Sequence, residues 1–310
     1  MVKVRSLRRG GEWYSLCLKT RAGILAALLC SLALLAGCSR SHAIVVGSKN
    51  FTEQLVLGEI IAQQIENQLH QKVVRRFNLG GSLLAHQALL AKEVDVYPEY
   101  TGTAFAAILK HPPIPDAAIV LERVRTEYAA NYALKWCDPL GFNDSFAMVI
   151  RGADARSGHY VALSDAERRR DPWTLAVGYE FLTRADGYEA LMATYPQLHW
   201  TSFPKTMDLG LLYRALEQGQ VSMVAANTTD GMLSALDVKV LEDDRKAFPP
   251  YQASIVARFA ALQEHPGLEA ALTELSGKID GKEIQKLNYE VDGNHRPAHD
   301  VAAEFLRSLR

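Results

Sequence analysis

From residue 43 onward, short apolar runs alternate with helical ones, and no other feature of the 310-residue chain limits its fold as strongly. Ala43-Ile44-Val45-Val46-Gly47 reads as a buried strand stopped by glycine. Ser48, Lys49, Asn50 and Phe51 form a loop, and Thr52 then stands as the cap of a helix with Leu57, Ile61, Ile65 and Leu69 four residues apart. Residues 72–78 suggest a second strand, Gly80-Gly81 a turn, residues 83–91 a helix, and Val94 and Val96 a third strand. Such β-α-β-α-β order predicts an α/β fold with a parallel sheet and helices on both of its faces.

The third strand runs into Pro98, which cannot continue a central ladder, so a polar and aromatic corner is expected from Glu99 to Thr103. Where a strand ends and a helix begins, free backbone N–H groups gather and ligands bind. Tyr100 brings a π-face to that corner and Thr103 a hydroxyl.

After the Pro-rich break at 111–115, residues 116–134 read as a long helix. Turn chemistry at 138–144 precedes an apolar strand from Ser145, and a fresh α/β series follows. Its strands are expected at 174–178, 198–203, 221–226 and 238–241, with helices at 180–194, 208–218 and 230–236. Phe248-Pro249-Pro250-Tyr251 interrupts the series, and a further strand begins at Gln252. Three helical runs (268–275, 282–291 and 298–309) close the chain and cannot form a domain by themselves, so they are expected to pack back on the first half. The result is a discontinuous lobe of residues 43–146 plus 252–310, and a continuous lobe of residues 147–251.

The first 37 residues read as a targeting segment. Lys3, Arg5, Arg8, Arg9, Lys19 and Arg21 form a basic region, and the apolar run from Ala22 to Ala36 is short for a membrane span. It ends in Leu35-Ala36-Gly37-Cys38, the pattern of a bacterial lipobox, with Cys38 as the lipidated residue, residues 38–42 as a linker and an uncleaved anchor helix as the alternative. On either reading the body is exported, to the periplasm or the cell surface, with a lipid anchor holding it to a membrane if Cys38 is modified.

Removing residues 1–37 lowers the basic count from 34 to 28 and the acidic count from 35 to 34, which leaves a net charge of −6. That balance excludes nucleic acid as a partner class. Cys17 and Cys30 leave with the segment, so Cys137 stands alone and neither an intramolecular disulfide nor a cysteine metal site can form. No second apolar run is long enough to span a bilayer.

The chain has no G-x-S-x-G elbow, H-E-x-x-H, Walker loop or G-x-G-x-x-G after a strand, and its nine histidines show no metal-ligand spacing. Binding is therefore expected rather than catalysis, with no metal and no cofactor. Asp243-Asp244 reads as solvated loop, and Asp230 as a helix cap. What recurs is an aromatic or polar residue at each strand-end corner: Lys49, Tyr100, Asp144 with Phe146, Arg184, Asn227 and Tyr251. Singly each has a plain structural explanation, Phe146 as core and the tyrosines as half-buried surface. Jointly they outline a cleft.

The motifs G-S-K-N-F-T-E-Q, Y-P-E-Y-T-G-T, G-F-N-D-S-F-A, F-L-T-R-A-D-G-Y, T-T-D-G and F-P-P-Y, together with the two crossings, resemble the quaternary-amine substrate-binding proteins of ABC importers. These are the glycine betaine, choline and related osmoprotectant receptors, and the likeness covers nearly all of residues 43–310. It implies a type II periplasmic-binding fold, two α/β lobes joined by a hinge of two crossing strands. It also implies a monomer working with a separately encoded permease and ATPase. A trimethylammonium has charge but no N–H, so aromatic faces hold it, each contributing about 0.5–2 kcal/mol. The resemblance places Tyr100, Phe146 and Tyr251 at the cation and Lys49, Thr103 and Arg184 at a betaine carboxylate, with Asp144 and Asn227 also in the site.

Two positions depart from the family pattern of four tyrosines. Phe146 keeps a π-face without a hydroxyl, and Asn227 stands where the fourth tyrosine is expected. A lost face costs about 1 kcal/mol, roughly five-fold in affinity. The alternative is the same receptor with another small polar solute, an amino acid or a bulkier betaine.

Overall fold

Two five-stranded sheets, each with its own helices, divide the described chain, residues 43–310 of a computed structural model. Cys38, the linker and the expected signal segment lie outside the described residues. The first sheet has the order β2-β1-β3-β10-β4, built from β1 (Val45–Gly47), β2 (Val74–Arg76), β3 (Val96–Tyr100), β4 (Leu134–Trp136) and β10 (Ala253–Arg258). The second, in the order β7-β6-β8-β5-β9, comprises β5 (Phe146–Arg151), β6 (Leu175–Val177), β7 (Lys205–Thr206), β8 (Met223–Asn227) and β9 (Val238–Leu241). The chain thus enters the second sheet at β5 and returns to the first at β10.

The expectation of a parallel sheet holds for β1 with β2 and β3, but β10 runs antiparallel to both β3 and β4. A strand that returns from another lobe need not obey the crossover rule that makes consecutive β-α-β units parallel.

Pro98 does not end its strand. It lies inside β3, the middle strand of the first sheet, opposite Ile255 of β10. The ladder between β3 and β1 is one pair long, Val46 with Val96, so Pro98 lies beyond the point where β1 stops. Its missing N–H is tolerated there, as at a sheet edge.

Helix α1 (Thr52–Leu69) is buried on nearly every side over its first fourteen residues because the sheet lies under one face and the tail helices over another. α5 (Leu268–Thr273), α6 (Gly281–Asp292) and α7 (Ala298–Ser308) all pack against it, with α2 (Ser82–Leu90), α3 (Ala117–Tyr132) and α4 (Leu209–Glu217) elsewhere in the chain. The tail therefore completes the first lobe. Thr52 is not the cap of α1: Phe51 occupies that position, and the Thr52 hydroxyl donates to Asp292 at 2.6 Å.

The expected strand at 198–203 is absent apart from a single bridge between Trp173 and Trp200, and the chain pairs instead at Lys205–Thr206. Asp243 is not solvated either. It accepts the phenol of Tyr195 at 2.7 Å and the N–H groups of Ala247 and Phe248 at 2.9 Å each, and so shapes the loop before Tyr251.

The two crossings touch. Asn143 bridges Gln252, Asp144 N–H donates to Tyr251 O at 3.0 Å, and Ala253 N–H to Phe142 O at 3.1 Å. One apolar cluster passes through them, from Val46 by way of Phe142 and Tyr251 to Met148 and Ile150.

Candidate functional site

A cavity of about 560 Å³ opens between the sheets, within the roughly 300–1,000 Å³ usual for small-molecule sites. Strand ends build it. Lys49 follows β1, Glu53 lies in the first turn of α1, Tyr100 closes β3 and Thr103 sits one turn into the helix beyond it. From the other side Phe146 opens β5 and Asn227 closes β8, directly opposite each other in the ladder. Asp144, Arg184 and Tyr251 complete the wall, so all eight residues expected from sequence line this one cavity.

Gly102 lets the wall close. A Cβ there would lie 2.6 Å from Pro250 O and 2.6 Å from the Tyr251 ring, so only glycine allows Tyr251 to lie against the start of that helix.

Both expected anion-binding cations already have partners on this chain. Lys49 Nζ lies 2.5 Å from Glu99 Oε1, with both side chains buried, and donates to Ser82 Oγ at 3.1 Å. Removing one partner of such a pair costs about 3–5 kcal/mol, because the other charge is stranded. Arg184 grips Asp186 through two bonds, Nε to Oδ1 at 2.9 Å and Nη2 to Oδ2 at 2.7 Å, and the Tyr251 phenol donates to the same carboxylate at 2.7 Å. Arg184, expected at a solute carboxylate, thus makes a two-pronged bond to Asp186.

The same two cations lie over the aromatic faces. Lys49 Nζ is 4.7 Å from the Tyr100 ring centre, and the Arg184 guanidinium is 5.0 Å from Phe146 and 5.5 Å from Tyr251. Phe146 also meets Tyr251 edge-on at 5.7 Å. Three rings in one cavity are placed to receive positive charge. Asn227, by contrast, has a side-chain amide with no partner among the described residues.

Sequence reasoning placed Asp144 in the site but missed Glu53 and Asp230, which gather with it behind these rings. Glu53 accepts the Tyr100 phenol at 2.6 Å, the Thr229 hydroxyl at 2.5 Å and Asn288 Nδ2 at 3.2 Å. The Thr229 oxygen also lies 2.7 Å from Asp144 Oδ1. One hydroxyl has one proton to give, so the second contact requires a proton on a carboxyl. Burial raises both acids, and the neighbouring Glu53 raises Asp144 further, well above the usual carboxylate range. The pair therefore shares a proton beyond that of the Thr229 hydroxyl, and Glu53, with three donors, is the better placed of the two to carry the charge. Asp230 belongs to the same wall: burial pushes it up to about 7, against the pull of the Asn227 N–H and the Tyr213 phenol. The only sequence signal for Glu53 was its place in the G-S-K-N-F-T-E-Q run.

Residues 42–308 match the family described as the substrate-binding domain of ABC-type glycine betaine transport systems. The chain belongs to that family. A carnitine transport binding protein of Listeria monocytogenes, OpuCC, is 34% identical over 280 residues, 90% of either chain. The ergothioneine transport permease/ergothioneine binding protein EgtU of Helicobacter pylori is 33% identical over 267 residues, 86% of this chain but 47% of that one. Among solved structures, that of a glycine betaine/carnitine/choline ABC transporter superposes with a TM-score of 0.73 at 30% identity, covering 86% of this chain and 98% of that one.

The two-lobed periplasmic-binding fold is that of the family's solved members, and the chain is a transport receptor, not an enzyme. As a substrate-binding protein of the ABC-type glycine betaine transport family it is extracytoplasmic. Among the described residues no helix is long and apolar enough to cross a membrane.

Proposed function

We propose that this chain is a lipid-anchored receptor, tethered through Cys38, that captures a quaternary-amine compatible solute as a monomer and delivers it to a separately encoded ABC permease. The observation that carries the reading is the convergence of Tyr100, Phe146 and Tyr251 on one cavity between two lobes. A methylated ammonium has no hydrogen to donate, and aromatic faces are the side-chain surfaces that bind it. In this reading the three rings take the ammonium, and Lys49, Thr103 and Arg184 surround the polar end of the solute, with Asp144 and Asn227 filling the wall. The lobes are residues 43–146 with 252–310, and residues 147–251. They close because the solute contacts both, since equal affinity for open and closed states would shift nothing.

Calorimetry of the full chain, purified in detergent, with glycine betaine, proline betaine, choline and carnitine tests the reading. Heat of binding with at least one of them at millimolar concentration is expected. Silence with all four sinks the quaternary-amine assignment and leaves the fold untouched.

A second reading has the unpartnered amide of Asn227 in its favour: a betaine with a larger polar side group, which the similarity to an ergothioneine binding protein also supports. Asn227→Tyr separates the two. Restoring a fourth ring strengthens glycine betaine binding about five-fold if the native site is an incomplete box. If Asn227 holds a polar side group, the substitution weakens the native solute instead.

A further inference from the structure

The charges of the cavity do not balance, and the imbalance bears on the solute. Inside it, the two cations at the rings are already neutralised, Lys49 by Glu99 and Arg184 by Asp186. Glu53, Asp144 and Asp230 line the same space with no ion-pair partner among the described residues, and Asp292 also lines it, bonded to the Thr52 hydroxyl. Toward the rim Arg214 is outnumbered by Glu180, Asp208 and Glu217. An incoming carboxylate therefore meets cations that are already paired and further acids beside them, whereas a cation is drawn to those acids.

A second feature points the same way. Asn288 is 2% exposed and lines the cavity, and its Nδ2 donates to Glu53 and to Thr229 O. Its Oδ1 is a buried acceptor without a partner among the described residues. A buried acceptor left unmade is costly, and a hydroxyl or N–H satisfies it where a carboxylate cannot.

We propose that the solute is a net cation, a quaternary ammonium with a neutral, hydrogen-bond-donating tail, and that the cavity discriminates against zwitterionic betaines. The proposal rests on the quaternary-amine reading above and narrows it. Glu53 is the residue that sets the preference. It is the better placed acid of the Glu53–Thr229–Asp144 group to carry the charge and is bonded to the Tyr100 phenol, beside one of the aromatic faces.

Binding of a cation also expels protons. Burial raises Glu53, Asp144, Asp230 and Asp292 in the solute-free protein. The positive groups that reach them are Lys49 at Glu53 and His295 at Asp292. The polar groups bonded to them are Thr52, Tyr100, Tyr213, the Asn227 N–H, Thr229 and Asn288. A bound positive charge lowers all four carboxyls and releases part of their proton to solvent.

Choline and glycine betaine share the trimethylammonium and differ in the tail, one a hydroxyl and the other a carboxylate. Calorimetry of the full chain at pH 7 in phosphate and in Tris buffer is expected to give at least tenfold tighter binding of choline. It is also expected to give a heat that differs between buffers because protons are released. Glu53→Gln is expected to reduce choline affinity tenfold or more and to lower the ratio of choline to glycine betaine affinity at least five-fold. Asp230→Asn serves in the same comparison if Glu53→Gln does not fold. Glycine betaine binding as tightly as choline, or choline binding with no proton release, overturns the proposal while leaving the quaternary-amine reading intact. No heat with choline, glycine betaine or carnitine overturns both.

Discussion

Asp230 stands at the start of a helical turn, Gly231–Ser234, where its residue type suggests a cap. Its side chain makes no cap bond. It turns back to accept the N–H of Asn227 at 3.0 Å and the phenol of Tyr213 at 2.9 Å. Burial then raises its pKa from 3.8 to about 7. An acid raised on folding favours the folded state while protonated. The contribution is complete below pH 3.8 and is lost as pH rises through about 7. Asp230→Asn keeps an acceptor without the charge. The solute-free variant is expected to melt above the parent at pH 8, by about 2–4 °C for each kcal/mol regained, and level with it at pH 4. Thermal unfolding at the two pH values checks this, and a lower Tm at pH 8 refutes it. The residue types at the site were legible in the sequence because motifs and strand ends mark them. Their charge states were not, since Glu53 and Thr229 are 176 positions apart.

At the scale of elements, the β-α-β order placed β1, α1, β2, α2 and β3 to within a few residues, because burial against a sheet imposes periods that the residues display. Where a partner strand mattered, pattern alone misled. Pro98 reads as a strand terminator, yet its strand continues because β1 ends before the missing N–H is needed. Residues 198–203 are apolar and alternating enough for a strand, but one bridge, Trp173 to Trp200, is all they form. Another contact had no sequence signal at all. Glu180, on the second lobe's side of the cavity, accepts the N–H of Ser82 at 2.7 Å and its hydroxyl at 3.1 Å, at the first residue of α2. A carboxylate at a helix N-terminus meets free N–H groups and the positive end of the dipole, typically worth 0.3–1 kcal/mol. Ser82 also receives Lys49, so this one serine joins the two walls of the cavity.

For the molecule as a whole, the lobes meet through backbone as well as side chains. Gly231 lies so close to α6 that a Cβ would stand 2.3 Å from Tyr289 N and 2.5 Å from its Cα. Nothing flexible can give way there. Gly231→Ala is expected to hold the turn away from α6 and weaken closure. Affinity then falls for every solute alike, with the ratio of choline to glycine betaine unchanged, and solute no longer reduces the radius of gyration in small-angle scattering. A variant that changes the ratio instead shows that the contact serves recognition rather than closure. The sequence by itself determined the α/β class, the two crossings, the absence of catalytic motifs and eight residues of the cavity wall. Those features follow from local periodicity and residue type, which a chain carries before it folds. Only the tertiary structure decided that Lys49 and Arg184 are already paired, that Glu53 and Asp144 meet at one hydroxyl and that the cavity is surplus in carboxyls. A carboxyl's charge depends on the donors and charges within a few ångströms, and those come from distant positions that folding alone brings together.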